Sequence, residues 1–434
     1  MVNYGGDEVS ALVVDIGTSS VRAGYAGDDT PRAIIPAHYG FLPTNADNDV
    51  AMGEANDSSS VANKSRHAEL YIGQSGPSIW RSGMEVGNPL ADGLISDFRP
   101  IKPLVDHAIS HVMRCNPSDH PILVTEPTWN TPANRERMAE IMFEEFNVPA
   151  FYIANTGVLN AFAAGKGTAF VVDVGHSMAS VTPVVDGFVL RKGLVYSSLP
   201  RLVRAQARHI LVTATTQRQG IALLPQQMIE SKAPVDPNMP PQFTVRQNRV
   251  TNTTETWKNW AEEREIDEWI QHCAAVLDQG WNDAAAQARP PRQYEFPTGF
   301  NSYFGTERYQ VGEQFFWHTP ALVASNSNLP KNIPALISES LRACDPELRQ
   351  VLMGNVVLTG GGSQFSGFAD RLNSELTRTF PHAKIHAPGN PIERRYGAWL
   401  GGSILASLGT FHQLWISKEE WQEHGKAIVG QRCK

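Results

Sequence analysis

The sequence is poor in the features that mark exported, membrane-bound or DNA-coating proteins. Only four cysteines occur in 434 residues, Cys115, Cys273, Cys344 and Cys433. They are dispersed, with neither metal-site spacing nor a disulfide framework, and point to a reducing compartment. No apolar run approaches the roughly 20 residues that cross a bilayer, and the opening residues lack the basic and apolar regions of a secretory signal. No membrane partner is therefore expected, and the sequons Asn56-Asp57-Ser58 and Asn252-Thr253-Thr254 read as chance. Lys and Arg number 37 against 44 Asp and Glu, for a net charge of −7, and no Lys/Arg cluster stands out. That balance argues against a generally basic nucleic-acid surface. What the chain does have is length and apolar content: 41% of 434 residues are hydrophobic. Two sizeable cores are expected, because single cores seldom grow past about 250–300 residues.

One local pattern recurs. In Ala11–Gly27 an apolar run, Ala11 to Val14, ends in Asp15; a small polar turn, Ile16-Gly17-Thr18-Ser19-Ser20, leads into the alternating Val21-Arg22-Ala23-Gly24-Tyr25. This predicts a β-hairpin with an acid at the end of its first strand. Turns of Gly, Thr and Ser gather N–H and hydroxyl groups that suit phosphate oxygens, and a neighbouring carboxylate can hold Mg²⁺ through water. Alone the motif does not discriminate, since many hairpins have polar turns. Thr168–Pro183 repeats it, with strand Ala169 to Val172, Asp173, and the turn Gly175-His176-Ser177. A third element, Val356-Val357-Leu358-Thr359-Gly360-Gly361-Gly362-Ser363, is a buried-type strand breaking into glycines, which let backbone approach a ligand; Asp370-Arg371-Leu372 then opens a helical pattern.

These segments resemble the two phosphate loops and the adenosine-side glycine loop of the actin and heat-shock-70 ATPase superfamily. The likeness to the actin family is closer: Arg22-Ala23-Gly24-Tyr25-Ala26-Gly27-Asp28-Asp29, Ile141-Met142-Phe143-Glu144 and Trp399–Leu408 read nearly as actin does. The opening Tyr4-Gly5-Gly6-Asp7-Glu8-Val9-Ser10-Ala11 is similar instead to the nuclear actin-related proteins. The resemblance spans the chain except roughly 40–70 and 199–256. It implies an α/β class of actin-like ATPase fold, two duplicated α/β domains (four subdomains) around a nucleotide cleft. Residues 1–36, 71–163 and 396–434 would form subdomain 1 and 37–70 subdomain 2. Subdomain 3 would take 164–198 and 310–395, and 199–309 subdomain 4 with a family-specific insertion.

Taken in order, Gly40–Arg66 is polar and predicts a mobile surface loop. In actin this region is a filament contact, so its replacement argues against self-polymerisation. Pro103–Met113 has helical spacing with Leu104, Val105, Ala108, Ile109 and Val112 on one face. Ile122–Glu126 predicts a buried strand, and Thr131-Pro132 a capped helix start. His107, His111 and His120 are scattered and favour surface or core roles over metal binding. Alternating strands and helices make an α/β fold. Arg201–Leu211 predicts a basic helix and the prolines of 233–241 an extended loop. Arg201, Arg204, Arg208 and Arg218 offer either a nucleic-acid contact or a solvated face, the latter favoured because no aromatics interleave them. Ile266–Leu277 predicts a helix with Trp269, Ile270, Cys273, Val276 and Leu277 on one packing face.

By resemblance, Asp15 and Asp173 hold Mg²⁺ or Ca²⁺ through water, and Gly17, Thr18, Ser19, Gly175, His176 and Ser177 surround the phosphates of ATP or ADP. Gly360, Gly361, Gly362, Ser363 and Phe365 line the adenosine with Arg395 in place of a lysine. Arg22 replaces a phosphate-directed lysine, keeping charge with a different donor geometry, and His176 replaces an aspartate. Actin's water-orienting glutamine and histidine fall at Thr156 and Ser180, neither a competent base. Phosphoryl transfer depends on positioning and electrostatics, so binding with little or no hydrolysis is expected.

Phe162, Gly165, Leu400, Ile404, Leu405, Leu408, Thr410 and Leu414 correspond to the cleft by which actins receive an amphipathic helix, although the spacing of Leu400, Ile404, Leu405 and Leu408 also fits core. The family likeness implies the helicase-SANT-associated helix of a remodelling ATPase as partner, with actin beside it and histones or nucleosomal DNA within reach. It further implies nuclear chromatin-remodelling and histone acetyltransferase complexes that serve transcription regulation and DNA repair. A polymerising cytoskeletal actin-like ATPase is the alternative. A sugar kinase would need a further carboxylate base, and no acid stands at such a motif.

Overall fold

The computed structural model describes residues 10–43, 69–215, 218–326 and 328–434. The expectations placed on Tyr4–Val9 and on most of the 40–70 loop lie outside these residues.

Two six-stranded sheets dominate the chain. The first begins with the predicted hairpin, β1 (Leu12–Ile16) and β2 (Ser20–Tyr25), antiparallel with Asp15 opposite Arg22. β3 (Ala33–Pro36) extends it on one side; on the other come β4 (Ile122–Glu126), parallel to β1 and wholly buried, then β5 (Ala150–Asn155) and the edge strand Ile416–Ser417. The second sheet repeats this grammar. β6 (Ala169–Val174) and β7 (Ala179–Val185) form the hairpin with Asp173 opposite Ser180, and β8 (Val356–Thr359) is parallel to β6. In each sheet the acid stands at the carboxyl end of a strand with a parallel neighbour, where open α/β sheets bind ligands.

Between the sheets run α1 (Thr156–Ala163) and α5 (Gly397–Ser407). Their contact is so close that a Cβ on Gly401 would lie 1.9 Å from the Leu159 carbonyl oxygen, so only glycine fits there. Trp399, fully buried, donates its indole N–H to the Val13 carbonyl (3.0 Å) and pins α5 to β1. Each sheet carries its own large apolar core, the first around Val13, Leu123 and Phe151, the second around Val172, Leu336 and Phe368.

Local expectations fare unevenly. Thr131 caps the Pro132–Glu140 helix, its hydroxyl accepting the Asn134 amide at 3.2 Å. The 103–113 helix is present but widens from an α-helix (Ile101–Asp106) into a π-helix (His107–Val112). The wider turn carries Val112 off the apolar face, and it is 43% exposed. The basic stretch is α2 (Leu199–Val212). The proline-rich segment is the loop of a two-stranded ribbon, Ile229–Ala233 with Gln242–Val245. α3 (Glu255–Cys273) starts earlier than the Ile266–Leu277 periodicity suggests and stops at Cys273. Val276 and Leu277 are buried, but beyond its end, where the chain runs extended and Ala275 bridges Ser366; the apolar spacing there reflects a buried strand-like pass. α4 (Phe368–Thr379) opens two residues before Asp370.

α3 also buries a carboxylate. Glu265 is 8% exposed, one of its oxygens has no hydrogen-bond partner, and burial with the nearby Glu268 pushes its pKa up to about 7. The fold thus favours the proton: stability is full below the ordinary carboxylate range, falls as pH rises towards 7, and stays low above it. Glu265→Gln is expected to stabilise the chain by about 2 kcal/mol at pH 8 and far less at pH 5; unfolding curves at the two pH values check this.

Candidate nucleotide cleft

The acid-tipped hairpins, the glycine turn after β8 and the inner faces of α2 and α3 surround a cavity of about 770 Å³. Its floor holds the two acids, whose surroundings differ because the hairpin registers place different residues opposite them. Asp15, opposite Arg22, is ion-paired to it and accepts the Thr125 hydroxyl at 2.6 Å. Asp173, opposite Ser180, has no cation on its own hairpin. Burial and the facing Asp15 carboxylate raise its pKa to about 6, against the opposing pull of Arg22 and a hydrogen bond from Asn160. Asn160 in turn accepts the Thr359 hydroxyl at 3.2 Å, so a threonine on the parallel neighbour backs the acid site in each half. The floor therefore carries negative charge only partly balanced by Arg22, a donor set suited to a hydrated divalent cation.

The two turns meet above the acids. The Thr18 and Ser177 hydroxyls are hydrogen-bonded at 2.9 Å, and Asn88 donates to the Thr18 carbonyl at 2.8 Å. Arg22 leans over the Tyr396 ring, 5.1 Å from its centroid, and its buried Nε has no partner, an orphaned donor that an anionic oxygen would satisfy. Gly17, Thr18, Ser19, Arg22, Gly175, His176 and Ser177 all face the cavity, as do Gly360, Gly361, Gly362, Phe365 and Arg395. Ser363 does not: it is fully buried, and its hydroxyl donates to the Gly360 carbonyl at 2.8 Å, so it shapes the turn from behind. Thr156 lines the cavity at the start of α1, whereas Ser180 is buried in β7.

Several wall residues escape the sequence reading. Arg204 of α2 donates to the His176 carbonyl and to His176 Nδ1, and pairs with Asp267 of α3 at 2.6 Å. Burial and Arg204 push the His176 imidazole down to about 4, so it is neutral at pH 7 and accepts the guanidinium. Glu263, Arg264, Asp267 and Gln271 complete this wall. The arginines of the basic helix thus divide: Arg201 and Arg208 stay exposed, in keeping with a solvated face, while Arg204 is drawn into the cleft wall. Arg201 pairs with Asp92 (2.7 Å) and Arg208 with Glu262 (2.7 Å). Arg218 is 7% exposed and donates to the Ile210 and Leu211 carbonyls, closing the end of α2. The available signal was charge complementarity: Arg204 and Arg208 face Asp267 and Glu262 in antiparallel order.

Of the second group of expected residues, Leu400, Ile404 and Leu405 lie on α5, Leu408, Thr410 and Leu414 just beyond it, and Phe162 and Gly165 at the end of α1. Ile404, Leu408 and Leu414 are 38%, 46% and 44% exposed, and Gly165 and Thr410 are exposed too, while Phe162, Leu400 and Leu405 are half-buried. Leu400 and Leu405 also pack on the first core, so the helical spacing serves both core and surface. Among the described residues no helix is long and apolar enough to cross a membrane.

The chain matches the Actin family over residues 6–434. It is 38% identical to actin-related protein 4 of Emericella nidulans over 484 aligned positions, covering 99% of this chain and 98% of that one. Identity to actin-related protein 4 of Schizosaccharomyces pombe is 34%, covering 99% of each chain, and to that of Arabidopsis thaliana 33%, covering 99% of this chain and all of the relative. With a matching family profile over nearly its whole length, a duplicated acid-tipped sheet and a cleft between the halves, this chain belongs to the actin family.

Proposed function

We propose that the chain is a non-polymerising nuclear actin-related subunit that binds ATP with little or no turnover. In this reading it pairs with actin on an amphipathic helix of a remodelling ATPase, within chromatin-remodelling and histone acetyltransferase assemblies. The observation that carries the partner half is the cluster of Ile404, Leu408 and Leu414, each more than a third exposed beside half-buried Leu405. Such apolar ridges accept helices through i, i+3, i+4 anchors. Relatives that cover the chain end to end carry the name actin-related protein 4, which favours this subunit role over a filament-forming actin.

For the cleft, Asp15 and Asp173 would hold a hydrated Mg²⁺ or Ca²⁺, which would neutralise phosphate charge. The unpartnered Arg22 Nε and the turn at Thr18 and Ser177 suit the phosphates, and the glycine turn with Phe365 suits the adenosine. Neither Thr156 nor Ser180 is a base at neutral pH, and Ser180 is buried in β7, so the two positions that would orient an attacking water supply no proton acceptor. Single-turnover assays with radiolabelled Mg-ATP should show hydrolysis far below an actin measured alongside; an actin-like rate would refute this part.

Co-purification of the recombinant chain with actin and a remodeller helix tests the partner reading. A stable ternary complex that Leu405→Asp abolishes, with unchanged nucleotide content, supports it. Filament formation in Mg-ATP and salt, with neither partner bound, would establish the polymerising alternative.

A further inference from the structure

We infer that Asn88 and Arg204 are a matched pair of positioning residues, one for each acid-tipped hairpin, that set the affinity for phosphate groups by fixing one peptide in each turn; this rests on the nucleotide-binding reading above. The two turns are built alike. Gly17 closes the first by donating its amide to the Ser20 carbonyl (3.0 Å), and Gly175 closes the second by donating to the Met178 carbonyl (2.8 Å). In each, the peptide at the tip, Thr18–Ser19 or His176–Ser177, lies beyond the last ladder pairs, Ile16 with Val21 and Val174 with Ala179. The sheet therefore does not fix which way that peptide faces, the choice that separates type I from type II turns.

A side chain from outside the hairpin holds it instead, at the equivalent atom in both turns. Asn88 donates to the Thr18 carbonyl at 2.8 Å, and its own oxygen is fixed by the Leu90 amide (2.9 Å). Arg204 donates to the His176 carbonyl and to His176 Nδ1, a fork closed on one residue. A guanidinium has no acceptor, so Nδ1 receives that bond and the proton of the neutral imidazole sits on Nε2. The remaining guanidinium nitrogen, Nε, donates to Asp267 at 2.6 Å, which aims the fork from α3. All three nitrogens of Arg204 thus have fixed partners, an arrangement that a lysine cannot copy.

A trans peptide carries its C=O and its N–H on opposite sides. Pinning the Thr18 and His176 carbonyls therefore turns the Ser19 and Ser177 amides away from Asn88 and Arg204. Ser19 and Ser177 both face the cavity, and the turns touch through the Thr18 and Ser177 hydroxyls. The two amides become anion donors held in place before any phosphate arrives, and donors that need no reorganisation stabilise charge most strongly. Loss of either pin frees its peptide to rotate, a cost that falls on the phosphates and not on the rest of a nucleotide.

The test is a set of binding titrations on the full chain with Mg-ATP, Mg-ADP and adenosine. The variants are Asn88→Ala and the double change Arg204→Met with Asp267→Asn, neither of which alters the net charge. Each is expected to bind ATP and ADP about tenfold more weakly or worse, with adenosine within about twofold of the parent. A merely structural part would weaken all three ligands alike, and that result overturns the inference; parent-like ATP affinity in either variant overturns it for that turn. If the double variant does not fold, Arg204→Lys, which keeps the charge and loses the fork, replaces it with the same expectation. A parent that binds neither nucleotide refutes the nucleotide reading, and inorganic pyrophosphate then takes the place of ATP in the comparison. Pyrophosphate binding that the variants lose supports the positioning pair; no binding in the parent overturns it.

Discussion

Replacing Arg371 by methionine is expected to lower stability by about 3–5 kcal/mol, the cost of stranding a buried charge. Arg371 of α4 and Glu313 have side chains only 2% exposed and form a two-pronged pair at 2.8 and 2.7 Å. The same guanidinium donates to the Gln279 carbonyl (2.7 Å) and to Glu375 (2.8 Å), and lies over the Phe316 ring. One side chain thereby ties α4 to the segment after α3 and to the 307–313 helix. Burial, with a smaller push from Glu375, drives the Glu313 pKa up, and Arg371 is the main group pulling against it. Without the arginine Glu313 must either stay charged in an apolar setting or take a proton. The loss should therefore shrink as pH falls below the carboxylate's raised range. Arg371→Met with Glu313→Leu removes both charges and should recover most of the loss, because the desolvation penalty disappears with the pair. Urea unfolding of the two variants and the parent at pH 8 and pH 5 measures this. A single variant as stable as the parent would mean that water reaches the pair.

How far the fold could be read from the sequence follows from how local each signal was. The Asp15 and Asp173 hairpins were legible because strand, acid and turn lie within a few residues, and the fold keeps them in register. The glycine turn after β8 was legible for the same reason. The α2 and α3 wall was not: Arg204 reaches His176 and Asp267 over 28 and 63 positions, and no local pattern announces such a pairing. Ser363 illustrates the converse error. It sits inside a ligand-facing motif, yet a tight turn must satisfy its own carbonyls, and its hydroxyl is spent on Gly360. The end of α3 misled because a buried extended pass and a helix face can share apolar spacing over four residues. The apolar cluster that joins Trp80 and Met84 to Met228, Trp257 and Trp260 was invisible for a simpler reason. Trp80 and Trp257 are distant in sequence, and each alone reads as an ordinary core residue.

Gly360→Val is expected to weaken Mg-ATP binding by about a hundredfold or more, since two separate constraints converge on this residue. Its φ of +91° lies where side chains are strained, and a Cβ there would stand 2.3 Å from the Val174 carbonyl oxygen and 2.4 Å from Asp173 Oδ1. Those atoms belong to β6, held in the sheet by β7 and β8, and cannot retreat without breaking ladder hydrogen bonds. The turn must move instead. It would carry Gly361 and Gly362 away from the cavity and push on the carboxylate proposed to hold the cation. Gly361→Ala is the matched comparison. Its Cβ would find its nearest neighbour in Arg395 Nε at 3.7 Å, an ordinary contact, so the fold should keep its stability and any loss of affinity would report crowding on the adenosine side. Calorimetric titration with Mg-ATP beside a thermal unfolding curve separates the two effects. Parent-like affinity in Gly360→Val would show that the nucleotide does not depend on the turn after β8.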